Sequence, residues 1–301
     1  MPEQKKAYLY ALATVLLWST VASAFKLSLR LLDSVQLLFY SSLFSVLVLG
    51  LLVFVQGKLK QVFCSTRRHY LQALGLGFLN PFLYYLVLFK AYELLPAQEA
   101  QPLNYTWALT LSFLSIPLLK QKIGGNEIAA GLVSYSGVLV ISTRGDILAL
   151  RFSDPTGVAL ALGSTLIWAL YWIYNARSDR DPVVGLFLNF AFGLPFALAY
   201  CLLFSELQLS EFRGLLGAAY VGFFEMGITF VLWLRALKLS ENAARVGNLI
   251  FISPFLSLVL IHFLVGEQIL PSTFAGLILI VAGLLIQRFK ALRPRTTHRG
   301  N

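Results

Sequence analysis

The chain has 301 residues, of which 58% are hydrophobic and only 13% are charged, about half the charged fraction of an ordinary soluble domain. This composition excludes a disordered chain, a fibrous repeat and a soluble enzyme of ordinary type, and it favours a protein that crosses a membrane many times. The net charge of +10 fits basic loops at a cytoplasmic membrane surface better than a nucleic-acid partner. Two cysteines and three well-separated histidines form no short metal motif, so neither a metal nor a cofactor is expected.

Long runs without Asp, Glu, Lys or Arg follow one another along the chain. A helix needs about 20 mostly apolar residues to cross the hydrocarbon core. Ten runs approach this length, with a single acidic residue, Glu225, inside one of them. In chain order, the predicted spans are 7–25, 34–57, 69–89, 100–119, 128–143, 155–176, 182–205, 214–234, 246–266 and 268–287. We therefore expect an all-α membrane protein with ten transmembrane helices.

Basic residues are distributed unevenly among the predicted loops. With a cytoplasmic N-terminus, the outer segments hold only Lys26, Arg30, Arg144, Arg151 and Arg213, while most of the 24 Lys and Arg residues fall in cytoplasmic segments. Cytoplasmic loops of membrane proteins carry an excess of Lys and Arg. The sequence therefore predicts that both termini are cytoplasmic, in a multi-pass protein of a bacterial inner (plasma) membrane.

The two halves of the chain resemble each other in sequence. A shift of about 145 residues brings out matched pairs, namely Gly77 with Gly222, Lys90 with Arg235, Gly131 with Gly276 and, at a slightly larger offset, Trp18 with Trp168. Because each copy would contain five helices, the second copy begins on the opposite side of the membrane. We expect two inverted five-helix repeats, over residues 1–145 and 146–301, an arrangement that transporters use for alternating access around a midplane site.

Short motifs recur at matching places in the two halves. The first helix of each half carries a Trp beside small residues, Leu17-Trp18-Ser19-Thr20 and Leu166-Ile167-Trp168-Ala169. The second half also has Pro254, Gly266-Glu267, Gly276 and Gly283, whereas Lys120-Gln121-Lys122 stands where the first half would have Gly-Glu. These features resemble the EamA-type branch of the drug/metabolite transporter superfamily over nearly the whole chain. The resemblance implies a transporter and not an enzyme.

One segment resembles a narrower group within that superfamily. Leu103-Asn104-Tyr105-Thr106-Trp107 is similar to the Asn-x-x-Trp helix of bacterial aromatic amino acid exporters, although Ala108 stands where those proteins usually have Pro. The resemblance implies export of amino acids or related metabolites, with aromatic or other apolar solutes favoured.

Glu225 is the sharpest individual candidate for a functional residue. A carboxyl group at mid-membrane costs about 2.5–3.5 kcal/mol on insertion scales. It could carry a coupling proton, pair with a substrate amine, or fill a structural role between helices. Its partner in the other half is Asn80, so both halves place a polar group at the same depth, and we include both in the candidate substrate site.

Further candidates lie on the fourth and ninth predicted helices and on two tryptophan-bearing ones. Gln101 and Asn104 share one helical face, and Arg245 and Asn248 begin the ninth span, where Arg245 could clamp a substrate carboxylate or extend to the interface. Trp18, Trp107 and Trp168 could line a cavity and stack on an apolar solute, or pack structurally. The predicted cavity lies between helices 1, 3, 4, 6, 8 and 9.

The sequence thus favours a secondary active or facilitative transporter, an exporter of a small organic solute working by alternating access. Coupling to protons and uncoupled facilitation both stay open, as do a monomer and a homodimer. The expected partners are the solute and membrane lipids, with no nucleic acid. Two alternatives stand beside this interpretation: movement of a lipid-linked or nucleotide-sugar substrate, and a scaffold or receptor that transports nothing.

Overall fold

The structure is a computed structural model that describes residues 3–119, 125–149, 152–175, 177–208, 211–240 and 249–291. Every regular element in these residues is helical. The α-helices are α1 (Glu3–Ser28), α2 (Ser34–Val55), α3 (Leu59–Phe63), α4 (Arg67–Gly77), α5 (Tyr84–Leu94), α6 (Ala97–Tyr105), α7 (Trp107–Leu119), α8 (Gly125–Ser142), α9 (Pro155–Asn175), α10 (Pro182–Phe204), α11 (Phe212–Tyr220), α12 (Thr229–Leu239), α13 (Ser253–Leu260) and α14 (Pro271–Ala291). The predicted all-α class is confirmed.

Six helical stretches in the described residues are long and apolar enough to cross a membrane. They are Glu3–Ser28, Ser34–Val55, Arg67–Leu94, Pro155–Asn175, Pro182–Phe204 and Phe212–Ala236. Ile128–Ser142, Leu249–Val265 and Pro271–Ile286 are shorter apolar helices. The predicted fourth span is divided at Thr106 into α6 and α7. Pro102 lies inside α6, where it cannot donate a backbone hydrogen bond.

Apolar side chains lie both inside the helix bundle and on its outer surface. Tyr85, Phe190 and Leu49 are fully buried, whereas Leu51 and Leu203 project outward. An outer surface with exposed apolar side chains is favourable in lipid, because the lipid tails are themselves apolar. The chain is a multi-pass integral membrane protein.

Two helical stretches depart from α-helical geometry at corresponding places. The segment Phe78–Leu83 separates α4 from α5, and Val221–Ile228 joins α11 to α12; both have π-type hydrogen bonding. Within the first, Asn80 has an extended backbone with φ −149° and ψ 119°, so the helix is kinked there. Each segment packs against a helix from the other half of the chain, Phe78–Leu83 against α10 and Val221–Ile228 against α2.

The remaining long helices also pack across the two halves. Helix α1 lies against α12 and α13, and α5 lies against α9. The extensive contact between α8 and α14 is held close by Gly137 and Gly276, since a Cβ at Gly137 would lie 2.9 Å from Leu279 Cβ. The space enclosed between the halves is where the candidate site lies.

Helix α10 begins at a capping residue that is also paired with a lysine. The Asp181 carboxylate accepts hydrogen bonds from Val183 N (3.0 Å) and Val184 N (3.3 Å) and lies 2.8 Å from Lys58 Nζ. Partial burial acts to raise the pKa of Asp181, but the hydrogen bonds from Lys58 and the backbone outweigh it, so its pKa lies below the ordinary 3.8. The stabilisation is therefore present above pH 4 and is lost as the pH falls through the lowered value.

We expect Asp181→Ala to destabilise the protein by about 1 kcal/mol, because an N-cap is removed, which would lower the apparent melting temperature by about 2 °C. Thermal unfolding in detergent at pH 7 measures this. The matched control is Asp179→Ala, which removes a largely exposed carboxylate that contacts His69. Equal losses in the two variants would contradict the role of the cap.

Candidate functional site

A cavity lies in the middle of the bundle, and its described walls come from both halves of the chain. Its lining residues are Trp18, Val21, Ala22, Phe25, Tyr84, Leu88, Tyr92, Gln101, Asn104, Tyr105, Trp107, Trp168, Glu225 and Ile250. They belong to the six helices among which the sequence predicts the cavity. The space enclosed by these residues is about 80 Å³, room for two or three water molecules. A pocket for a typical organic ligand measures about 300–1,000 Å³, so solute entry requires the helices to move apart.

Aromatic rings form most of the cavity wall. Trp168 stacks near Tyr84, with ring centroids 4.5 Å apart, and its other neighbours include Tyr171 and Phe230. Trp18 contacts the same Phe230, with ring centroids 6.0 Å apart. The two tryptophans matched in the sequence therefore both contact one phenylalanine beside the cavity.

Glu225 supplies the carboxyl group of the cavity. One oxygen, Oε1, accepts a hydrogen bond of 3.3 Å from the Tyr85 hydroxyl, while Oε2 is buried without a hydrogen-bond partner. The side chain as a whole is 9% exposed. Burying a carboxyl oxygen without a hydrogen-bond donor costs free energy. A ligand or a water molecule that donates to this oxygen would reduce that cost.

The backbone around Glu225 is positioned by close helix contact. A Cβ on Gly222 would lie 2.6 Å from Phe44 Cβ and closer still to the Ser41 carbonyl. Ser45 Oγ donates a 3.0 Å hydrogen bond to the Met226 carbonyl, one of the backbone groups that a π-type segment leaves open. Such segments often occur at functional sites, and this one turns Glu225 toward the cavity.

Two polar residues of α6 line the cavity beside the carboxyl. Asn104 is satisfied by the protein: its Nδ2 donates to Ser164 Oγ at 2.9 Å, and its Oδ1 accepts from the Tyr84 hydroxyl at 3.4 Å. Gln101 differs, because its Oε1 is buried without a partner. The structure thus leaves two acceptor oxygens unpaired in this cavity, on Gln101 and Glu225.

The predicted site residues divide into three groups. Six of them line the cavity together: Trp18, Gln101, Asn104, Trp107, Trp168 and Glu225. Asn80 does not; it is fully buried at the kink after α4, with both amide atoms unpartnered. Arg245 and Asn248 lie outside the described residues.

Sequence reasoning missed the tyrosines of the site. Tyr84 and Tyr85 both contact candidate residues, but tyrosine is common in this chain, with 13 copies, and none stands out by composition. The sequence feature that could have identified them is their position, one helical turn after Asn80. No group of three or more His, Cys, Asp and Glu residues among those described could hold a metal ion.

A dense set of polar contacts closes one end of the bundle. We call it the Glu99–Glu267 cluster; its members are Gln98, Glu99, Arg144, Ser153 and Glu267. Glu99, only 1% exposed, binds Arg144 Nε at 2.9 Å and the Ser153 hydroxyl. Glu267 accepts hydrogen bonds from Ala97 N and Gln98 N at the start of α6. The cluster therefore ties the linker between α13 and α14 to the first half of the chain.

Gln98 completes this cluster from the side of α6. Its Nε2 donates to the Gln268 carbonyl at 2.8 Å, and its Oε1 accepts from Leu270 N at 2.8 Å and from Thr273 Oγ1. Gln98 therefore holds this end of the bundle closed, whereas Gln101 on the same helix lines the cavity.

The opposite end of the bundle is recessed. Two neighbouring recesses, of about 550 and 590 Å³, share His69 and Asp179, whose side chains are 3.0 Å apart. Arg68 and Arg177 line the first, and Lys60 and Arg180 line the second. Basic side chains therefore surround the recesses at this end of the bundle.

The geometry defines a helical multi-pass membrane protein with a small central cavity and unequal ends. The model of the EamA-like transporter family matches residues 5–143 and again residues 155–288. The chain belongs to this family.

Similar proteins carry the same general description. An uncharacterized transporter of Archaeoglobus fulgidus is 23% identical over 291 residues, which cover 95% of this chain and 98% of that protein. An uncharacterized transporter of Clostridium kluyveri is 27% identical over 180 residues, and the match spans 56% of each chain. A solved crystal structure superposes with a TM-score of 0.67 at 22% identity, covering 95% of this chain and 99% of that one, which shows a shared fold.

We expect Gly222→Ala to destabilise the protein by about 1–3 kcal/mol, because the added methyl group overpacks the contact with α2. Gly163→Ala is the matched control: nothing lies within 4 Å of its added Cβ, so the change should be neutral or stabilising by up to about 1 kcal/mol. Thermal unfolding of the two purified variants tests this. A Gly222→Ala protein as stable as wild type would show that the close approach does not position Glu225.

Proposed function

We propose that this chain is a secondary transporter that moves a small organic solute through the central cavity by alternating access. The observation that carries the proposal is a cavity whose walls come from both family-matched segments and contain an intramembrane carboxyl, Glu225. Ionisable groups inside membrane proteins typically mark solute or ion pathways. Glu225 is the residue that couples solute binding to the conformational change.

The proposed architecture is ten spans in two inverted five-helix repeats, over residues 1–145 and 146–301. Reciprocal packing supports it. Helix α1 packs on α12 as α9 packs on α5, and the Val221–Ile228 segment packs on α2 as Phe78–Leu83 packs on α10. Exchanging the two halves turns each contact into its counterpart, as expected for a repeat that can open to either side.

The proposed orientation places both termini in the cytoplasm of a bacterial cell, with the protein in the inner (plasma) membrane. The Glu99–Glu267 cluster then lies outside, and the recesses beside His69 and Asp179 face the cytoplasm, where an excess of basic residues is expected. In this arrangement the Glu99–Glu267 cluster closes the outer end and the solute enters from the cytoplasm, which favours net export.

The proposed solutes are amino acids or related metabolites with an apolar or aromatic body. The aromatic cavity wall formed by Trp18, Tyr84, Trp107 and Trp168 supports this choice, because such rings favour offset-stacked or edge-to-face contact with other rings.

We expect purified protein in liposomes to show saturable flux of an aromatic amino acid, and Glu225→Gln to reduce it at least about tenfold, since hydrogen bonds to charged groups are worth about 1.5–3 kcal/mol. Flux is measured with a radiolabelled solute. Glu93→Gln is the control, because Glu93 pairs with Lys90 away from the cavity. Wild-type flux in a well-folded Glu225→Gln protein would remove Glu225 from the mechanism. Saturable flux of no metabolite tested would favour a scaffold.

A further inference from the structure

Two buried oxygens on residues that line the central cavity have no hydrogen-bond partner among the described residues. They are Glu225 Oε2 and Gln101 Oε1, and both side chains are more than nine-tenths buried. An ionised carboxylate oxygen and an amide oxygen both accept hydrogen bonds. Most buried acceptors in folded proteins have a partner, so a molecule that brings hydrogen-bond donors into this cavity would satisfy both.

Two basic side chains in the described part of the chain are held by other protein groups. None of the described lining residues is Lys, Arg or His. Lys26 Nζ is held by the carbonyls of Tyr92 and Leu95 at 2.7 Å each, and Arg144 is held by Glu99. The described cavity therefore holds a carboxyl group and offers no protein cation to it.

The rest of the cavity wall also favours a positive charge. Trp18, Trp107 and Trp168 line the same space as Glu225, and tryptophan rings attract cations more strongly than other aromatic side chains do. A carboxylate would meet no described basic group there. The acceptors and the tryptophans thus favour the same ligand chemistry.

We propose that this cavity recognises a protonated primary amine, whose ammonium group donates hydrogen bonds to Glu225 Oε2 and Gln101 Oε1 and whose apolar or aromatic body lies among the tryptophans. An ammonium group carries three donors on one nitrogen, which suits two acceptors whose side chains line one small space. A carboxylate on the solute would meet no basic side chain among the described lining residues. This inference names the solute class of the proposed transport site and rests on that proposal for its physiological meaning, but binding itself is testable without transport.

Four related probes separate the chemical groups. Phenethylamine carries the ammonium and the ring, phenylalanine adds a carboxylate, phenylpropionate replaces the ammonium by a carboxylate, and trimethylphenethylammonium keeps the charge but has no N–H donor. Binding of each to the full-length protein in detergent is measured by calorimetry. We expect phenethylamine to bind at least about tenfold more tightly than the trimethyl compound, phenylalanine to bind no more tightly than phenethylamine, and phenylpropionate not to bind.

Two variants assign the effect to the named oxygens. Glu225→Gln and Gln101→Leu should each weaken phenethylamine binding at least about tenfold, and each is checked for folding by size-exclusion chromatography. The matched controls are Glu93→Gln and Gln72→Leu, the latter in the recess at the other end of the bundle. Both controls should bind phenethylamine as wild type does. If a site variant fails to fold, the four-probe comparison on wild type decides alone.

Several outcomes would overturn the inference: equal binding of the trimethyl compound, binding of phenylpropionate, phenylalanine at least about tenfold tighter than phenethylamine, or no binding of any probe. Failure of the transport proposal looks different. Amine binding without flux in liposomes would leave the ammonium site standing and contradict transport, whereas saturable flux of a solute that phenethylamine neither displaces nor inhibits would uphold transport and overturn the amine site.

Discussion

The burial of one carboxyl group in an apolar helix bundle governs the structure around it. Inside a membrane, backbone that departs from helical hydrogen bonding is tolerated only where protein or a cavity satisfies it. The segment carrying Glu225 meets this condition: Gly222 allows close contact with α2, Ser45 binds the Met226 carbonyl and Tyr85 donates to the carboxyl. The irregular helix at Glu225 and the polar wall of the cavity therefore depend on the same contacts.

The two ends of the bundle are built differently, and the difference has a basis in sequence. At one end, Glu267 caps the start of α6 with its carboxylate. A carboxylate is favourable at a helix N-terminus because it meets unpaired N–H groups and the positive end of the helix dipole. The matching place in the first half has Lys120-Gln121-Lys122, which offers no carboxylate. If the two halves exchanged conformations, the resulting state would therefore differ in free energy from the original one.

The sequence predicted the helical class and the helices around the cavity, because hydrophobic runs and isolated polar residues are visible without coordinates. Trp18 and Trp168 were found through their matched positions, and Glu225 through its cost in a membrane. Other features depend on tertiary contact. The burial of Asn80 away from the cavity follows from a kink, and the use of Gln98 for closure follows from where the α13–α14 linker lies. The pairing of Glu99 with Arg144, which lies 45 residues away, also depends on tertiary contact.

Access to the cavity from both sides of the membrane is the central claim, and sided labelling tests it most directly. Asn104→Cys is placed in a protein whose two native cysteines, Cys64 and Cys201, are replaced, and right-side-out and inside-out vesicles are treated with a membrane-impermeant thiol reagent. The account predicts modification from both sides, and none for Leu103→Cys, a fully buried neighbour outside the cavity lining. Modification of Asn104→Cys from one side only, or from neither, would contradict alternating access through this cavity.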